Sequence, residues 1–531
     1  MKLTCHKNTP EGYYNKITDA WLKNDEQLRN LYPISLQDIP EVERGYVYFD
    51  TNARNLLADT LLSQYEGIEI PSSVKSSIEK LRHSNTYTVT TGQQIHIFLG
   101  PVFFIYKITS VIRQARRLQN LYPENQYVPV FWMATEDHDI AEINEVTVFG
   151  KQYIWETSQE GMAGNLPTNG LESLSDAWME MADKEKLSPE ILEVFSNFKE
   201  AYSRFKNLAD ATRFILNKLF GHHGLVIIDS NSTKFKPVLR DLASKDILTD
   251  SIYHILQDSV SKLNQQGYGH QVSPRRTHFF CIKDGKRLRI DKLDGVFKYS
   301  PLSALITENE LQELISETPE KLSPNALLRP VYQQLLLPNV AYVCGPAELH
   351  YWHQLYGLFE KENITAPVLL LRDSYLVVDA RVEDFLTSNS LTESILWKGY
   401  EYVAELMEKQ ILGDNKISDE IELLKNQSEK VLQMFFSVKY QNIRELRDNY
   451  HQWLGELQKA NKLVLKEIKT QPSFEPFFNK LKKISQTHFN IKSPQERTVS
   501  FVEFLLKYKI NPVDKLIQNE DFNHVFGTLH V

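Results

Sequence analysis

The sequence predicts an α/β fold with a parallel sheet, and three observations predict it. Apolar runs rich in β-branched and aromatic residues recur, the first two at Tyr87–Thr90 and Tyr127–Met133. Between them, Phe103–Leu118 places Phe104, Ile108, Val111, Ile112 and Ala115 at helical spacing, giving a strand–helix–strand unit. Further runs at Gly224–Asp229, Val340–Cys344 and Pro367–Leu371 alternate with helical patterns, the signature of parallel strands joined by crossovers. A Rossmann-like core follows.

Bulk properties bound the rest. A chain of 531 residues exceeds one hydrophobic core, so two or three domains are expected. The net charge of −8 and the lack of a basic stripe argue against nucleic acid as a partner. Cys5, Cys281 and Cys344 are distant and odd in number, which excludes a disulfide framework and suits a reducing compartment. The start, Met1-Lys2-Leu3-Thr4, lacks the apolar run of a signal peptide. No stretch approaches the roughly 20 apolar residues that cross a bilayer. A cytoplasmic protein without a membrane partner is expected.

Taken in order, residues 1–150 read as the first half of the core. Residues 151–327 read as one or two inserted subdomains plus part of the core, with a Gly/Asn-rich piece at Gly161–Gly170. A hairpin is expected over Phe279–Ile290, turning at Asp284-Gly285. Residues 328–387 complete the core.

Residues 388–500 read as a helical coiled-coil domain. Ile417, Ile421, Leu424, Ser428, Val431 and Phe435 step by four and three residues, and so do Ile443, Leu446, Tyr450, Trp453, Leu457, Ala460 and Val464. That spacing makes a seam for another helix. Unbroken, a helix from Ile417 to Lys469 would run about 80 Å. A shift of phase near Val438–Asn442 marks a bend or hairpin turn instead, and Gly413-Asp414-Asn415 and Pro472 bound the region. Residues 501–531 are expected to pack back on the core.

Three elements carry chemistry. Thr91-Gly92-Gln93-Gln94 follows the first strand, and Gly100-Pro101 opens the next helix, whose free N–H groups and positive dipole end suit an anion. Lys107, two turns in, is placed to reach back toward it. The motif is neither GxGxxG nor Walker A. The second element is the acidic turn Glu136-Asp137-His138-Asp139 at the end of the second strand, where parallel sheets bind ligands. Its carboxylates suit an amine, His138 suits a general base, and the set could also serve a divalent metal. The third is Arg329-Pro330 through Gln334, then Asn339–Gln354, including Gly345-Pro346-Ala347-Glu348 and Tyr351-Trp352, where again a strand end opens a helix. Its His350 and His353 sit one turn apart, but no second ligand pair accompanies them, so no metal is expected. Arg275-Arg276 and Arg372 are candidate carboxylate clamps or structural ion-pair residues.

The runs TTGQQIHIFLGPVFFIYKI (Thr90–Ile108), FWMATEDHDIAEIN (Phe131–Asn144) and RPVYQQLLLPNVAYVCGPAELHYWHQL (Arg329–Leu355), with SPQERTVSF (Ser493–Phe501), resemble the BshC family, the cysteine-adding enzymes of bacillithiol biosynthesis. The resemblance runs in order along nearly the whole chain. It implies a Rossmann-like core with connecting-peptide insertions and a coiled coil through which the chain forms a homodimer. It also implies a carbon–nitrogen ligase joining L-cysteine to the glucosamine amine of glucosaminyl malate, with ATP as the expected energy source.

On that basis Gly92, Gln93, Gln94, Gly100 and Pro101 shape the pocket and Lys107 supplies positive charge. Glu136, Asp137, His138 and Asp139 hold the amine and take its proton, with Asn144, Gly345, Glu348 and Tyr351 completing the binding set. Ile95-His96 and Cys344 depart from the family pattern, at positions where small residues and glycine are usual. Two other classes fit parts of the sequence: a metal-dependent hydrolase built on the acidic turn, and a coiled-coil scaffold.

Overall fold

The computed structural model describes residues 2–6, 12–46, 49–157, 161–302, 304–393, 402, 406, 417–437, 443–470, 472, 475–488, 494–519 and 526–531. Its contacts separate two compact units. One comprises Met1–Thr9, Tyr14–Leu376 and Glu496–Val531, and the other Pro10–Tyr13 and Val377–Gln495.

The first unit is built on five parallel strands: β1 (Thr86–Gln93), β2 (Gln126–Met133), β3 (Val226–Asp229), β4 (Asn339–Cys344) and β5 (Val368–Leu371). Their spatial order is β5–β4–β1–β2–β3, with all neighbours parallel. The chain therefore works outward from β1 in one direction, then returns to its other side with β4. The crevice where these directions part, at the C-terminal ends of β1 and β4, is where such sheets bind ligands. Each predicted strand is present. The helix between β1 and β2 is α1 (Phe103–Leu121), three residues longer than its apolar pattern showed.

Burial explains the strand composition. The strands are buried along most of their length: Val89, Phe131, Ile227 and Val343 are inaccessible, and so are the alternating Thr86, Thr88 and Thr90 of β1, where Thr88 donates to Asn339 Oδ1 at 3.2 Å. A deeply buried ion pair of this unit is Arg113 with Asp373, joined further by Tyr375 Oη donating to the carboxylate at 3.1 Å.

The inserted material is two excursions, separated by β3. After β2 come a small hairpin, Glu145–Val148 with Lys151–Ile154, and helices Leu171–Lys184, Pro189–Arg204 and Leu208–Phe220. After β3 comes a five-stranded antiparallel sheet that contains the expected hairpin, Phe279–Lys283 with Lys286–Leu293. Asp284 and Gly285 turn it with φ of 50° and 73°, the left-handed pair that a tight two-residue hairpin demands. Beyond β3 the core resumes with α2 (Arg329–Leu336), β4 and α3 (Pro346–His353). The last strand, Phe526–His530, pairs antiparallel with the first, Lys2–Cys5.

The second unit is helical, with Ala380–Ser388, Ile417–Ser437, Ile443–Thr470 and Glu475–His488. The expected turn near Val438–Asn442 and the boundary at Gly413–Asn415 lie outside the described residues. Of the seam positions, Leu424, Val431 and Trp453 are 45%, 50% and 42% exposed in the single chain.

Two buried histidines make stability depend on pH. His96 and His353 are enclosed, and their Nε2 atoms find no hydrogen-bond partner among the described residues. Burial pulls both pKa values from 6.5 to about 4. Between those values the unfolded chain binds more protons than the folded one, so stability falls as pH drops from 6.5 toward 4. The slope is at most about 1.4 kcal/mol per pH unit for each ring. Denaturant unfolding across this range should show a shallower slope in His96→Asn and His353→Asn than in the parent. An unchanged slope in both would remove the histidines as its cause.

Candidate active site

A cleft of about 820 Å³ opens at the switch point, lined by the ends of β1, β2 and β4 and by residues from both excursions. Gly92, Gln93, Gln94, Lys107, Glu136, Asp137, Gly345, Glu348 and Tyr351 all line it. The structure thus brings together residues from all three sequence elements. Gly92 lies where β1 runs closest to its neighbours: a Cβ there would sit 3.3 Å from the Trp132 carbonyl oxygen and 3.6 Å from the Tyr342 hydroxyl.

Glu348 is the hub of one wall. Its carboxylate lies 2.5 Å from Lys107 Nζ and accepts from Tyr342 Oη at 2.7 Å and the Gly345 N–H at 2.8 Å. Burial pushes this carboxyl up, but Lys107, the Gly345 N–H and Tyr342 outweigh it and hold it below its usual range. Lys107 also donates to the Gly92 carbonyl at 2.5 Å and to Gln93 Oε1 at 3.1 Å. Burial draws its ammonium down, against the pull of Glu348. The charge expected to meet an anion is therefore neutralised within the protein, and Lys107 fixes the β1 turn instead.

The first helix entry is likewise occupied. Pro101 forms an antiparallel bridge with Ser500, the Val102 N–H donates to the Val499 carbonyl at 2.9 Å, and the Phe501 N–H donates to the Gly100 carbonyl at 2.8 Å. Gly100 and Pro101 do not line the cleft; they dock residues 499–501. The cation of the Thr91–Lys107 element and part of its helix entry are thus already paired within the protein.

The acidic turn divides. Glu136 is ion-paired with buried Lys236, which also donates to the Leu322 carbonyl at 2.8 Å. Asp137 faces the cleft and caps its own turn, accepting from the His138 N–H at 2.7 Å. His138 and Asp139 are exposed and outside the lining, because the chain turns outward into the short helix Ile140–Ile143. His138 packs its edge on Phe280, and burial followed by Arg287 lowers its pKa. Asn144 ends that helix and also stands apart from the cleft. Glu142, from the same helix, does line it. Gln94 Nε2 donates to both Glu142 Oε2, at 2.6 Å, and Asp137 Oδ2, at 2.8 Å. One amide thus gathers two carboxylates on the cleft rim.

Several lining residues were not singled out from sequence. Glu142 and Trp132 lie inside the quoted runs, where only their cleft exposure distinguishes them. Arg287, Phe280 and Asn325 come from the antiparallel sheet after β3 and from the chain that follows it, and no local pattern signals that this sheet folds over the strand ends. Arg372 is a clamp, but for Glu496 of the same unit, at 2.6 Å. Arg276 pairs with Asp250 at 3.3 Å, away from the cleft.

A metal reading of the acidic turn finds no support in this geometry. Among the described residues, the group of three or more donors that converge is His222, His223 and Asp514, far along the chain from the turn. There Arg116 Nη2 lies 3.0 Å from His223 Nδ1. An arginine can only donate, so the His223 proton sits on Nε2, which donates to Asp514 at 2.9 Å. His350 and His353 are core residues, the second donating Nδ1–H to the Leu349 carbonyl at 2.7 Å beside Trp21 and Tyr32.

Comparison with known proteins agrees with the reading of the runs. Residues 1–373 match the family model described as bacillithiol biosynthesis BshC, N-terminal Rossmann-like domain. A Flavobacterium psychrophilum protein named "putative cysteine ligase BshC" is 31% identical, covering 97% of each chain. One of the same name from Flavobacterium johnsoniae is 31% identical over 98% of this chain and 97% of its own. A Natranaerobius thermophilus protein, also so named, is 27% identical over 88% and 87%.

Proposed function

The chain belongs to the BshC family of bacillithiol biosynthesis, and on that premise we propose that it joins L-cysteine through an amide to the glucosamine amine of glucosaminyl malate, completing bacillithiol. The observation that carries the chemistry is the pair of carboxylates, Asp137 and Glu142, gathered by Gln94 on the cleft rim. Among the described residues neither has a cationic partner within ion-pair distance except His138, 3.9 Å from Asp137. They are thus available to an ammonium group, unlike Glu136 and Glu348.

The acceptor amine must shed a proton before it can attack. Held between Asp137 and Glu142, its nitrogen forms the new C–N bond with the cysteine carbonyl carbon. Its proton passes to one of the two carboxylates, and the bond from that carbon to its activating group breaks. Lys107 and Glu348 keep the β1 and β4 ends in register beneath. Joining a free carboxylate to an amine in water runs uphill, so a co-substrate must activate the cysteine; ATP is the one to test.

The test is incubation of the purified chain with cysteine, glucosaminyl malate and ATP, omitting each in turn, with mass spectrometry of the product. Asp137→Asn and Glu142→Gln should each lower turnover at least about tenfold, whereas His138→Ala should stay within about twofold. Amide formation in none of the mixtures would sink the ligase reading, and a large loss only in His138→Ala would move the base to that residue.

We also propose that the exposed seam of the second unit pairs with a second copy through a coiled coil. Sedimentation should show a homodimer, and Val431→Glu with Trp453→Glu should give a monomer. A parent chain that sediments as a monomer at micromolar concentration would refute the pairing.

A further inference from the structure

The charges of the cleft can be paired off one by one. Lys107 belongs to Glu348, Lys236 to Glu136 and Arg372 to Glu496. Arg287 stands over Phe280, 4.0 Å from the ring centroid, and donates to Ser323 Oγ, at 2.9 Å, and the Pro324 carbonyl, at 2.6 Å, with Nη1 3.4 Å from His138 Nδ1. Besides Arg287, two more arginines of the cleft have no carboxylate within ion-pair distance among the described residues.

Among the described residues Arg329, at the start of α2, has neutral partners alone within hydrogen-bond distance: Gln333 Oε1 at 3.1 Å, Tyr342 Oη at 3.3 Å and Tyr351 Oη at 3.4 Å. Its guanidinium stands over the faces of Trp132 and Tyr342, at 6.0 and 5.6 Å. Arg497 lines the same cleft, is exposed, and has no hydrogen bond or ion pair with the described residues. A guanidinium cannot discharge itself by losing a proton. Arg329 sits in a partly enclosed aromatic wall, where Glu348 reaches it only through space and by way of the Tyr342 hydroxyl, so a carboxylate of a ligand would be its first direct charged partner among the described residues.

We propose that Arg329 and Arg497 bind the two carboxylates of the acceptor's malyl arm and so select the acceptor. The assignment rests on the ligase reading of this cleft. Two planar forks match a dicarboxylate, each able to take one carboxylate through paired N–H bonds. Cysteine offers a single carboxylate, and that group must stay free to be activated and attacked. The cleft is then bipolar: Asp137 and Glu142 take the amine of the acceptor, and the two arginines its acid groups.

Arg329→Gln and Arg497→Gln, checked for native circular dichroism, separate this from other roles. The KM for glucosaminyl malate should rise about thirtyfold in Arg329→Gln, with the KM for cysteine within about twofold of the parent. Glucosamine lacking the malyl arm should be used equally by parent and variants. L-Malate alone, followed by calorimetry, should bind the parent and bind either variant at least about tenfold more weakly. A rise in the cysteine KM instead, or parental behaviour in Arg497→Gln as well as Arg329→Gln, would overturn the assignment. Should the parent form no amide while malate binding still depends on both arginines, the ligase reading falls and the dicarboxylate site stands.

Discussion

Replacing Glu348 with alanine is expected to abolish measurable turnover and to cost about 3–5 kcal/mol of stability. The loss follows from what the carboxylate leaves behind. Lys107 Nζ is enclosed, and Glu348 is the carboxylate within ion-pair distance of it. Without that partner its ammonium must discharge or draw water into the wall. Tyr342 Oη and the Gly345 N–H lose their acceptor in the same step. Because Lys107 also holds the Gly92 carbonyl, the β1 turn loosens at the point where the cleft begins. The control is the double variant Lys107→Met/Glu348→Gln, which removes both charges together. Its stability loss, read from urea unfolding, should be smaller than the sum of the losses in Lys107→Met and Glu348→Gln alone by at least about 1 kcal/mol. Additive losses would show that the two groups do not act as a pair.

Gly100→Ala is expected to destabilise the first unit by about 2–4 kcal/mol, without any role for Gly100 in binding ligand. Two separate penalties meet there. Its φ of 59° with ψ of −142° is a conformation that residues with a side chain strongly avoid. A Cβ would also lie 2.7 Å from His96 Cβ and 2.8 Å from its ring. The neighbouring turn cannot relax easily, because Phe98 and Leu99 already sit at φ of 51° and 65°. Phe98 is locked by its N–H donating to Tyr202 Oη at 2.8 Å and by edge contacts to Trp178 and Phe198. Adding His96→Gly to Gly100→Ala should recover the steric part of the loss and leave the backbone part. Thermal melts of the three proteins would separate the two, and a parental melting temperature in Gly100→Ala would disprove both.

How much of this was readable beforehand depends on how local the cause is. The sheet was legible because strands buried on both faces must be apolar throughout, as in Tyr127–Met133, and α1 because its covered face repeats. The cleft was legible where glycine closes a strand or follows it directly, as at Gly92 and Gly345. Its charge balance was not. Lys236 reaches Glu136 across 100 residues, and Glu496 reaches Arg372 across 124. Pairings at that separation leave no periodic trace, so Lys107 reads as a free cation from the sequence and is a neutralised one in the fold. Gly100 misled for a related reason: a glycine before a helix looks alike whether it admits a ligand or, as here, a strand-like segment from residues 499–501.

The pairing of Lys2–Cys5 with Phe526–His530 bears on how the protein is made. At about 5–20 residues per second, the first strand leaves the ribosome roughly half a minute to two minutes before its partner. During that interval the Gly100 junction lacks Val499 and Phe501, and Arg372 lacks Glu496. The five parallel strands can assemble while the chain is still being translated, but the cleft cannot take its final form. The nascent enzyme thus waits with an open strand edge, and a chaperone that shields residues 2–5 should raise the yield of active chains.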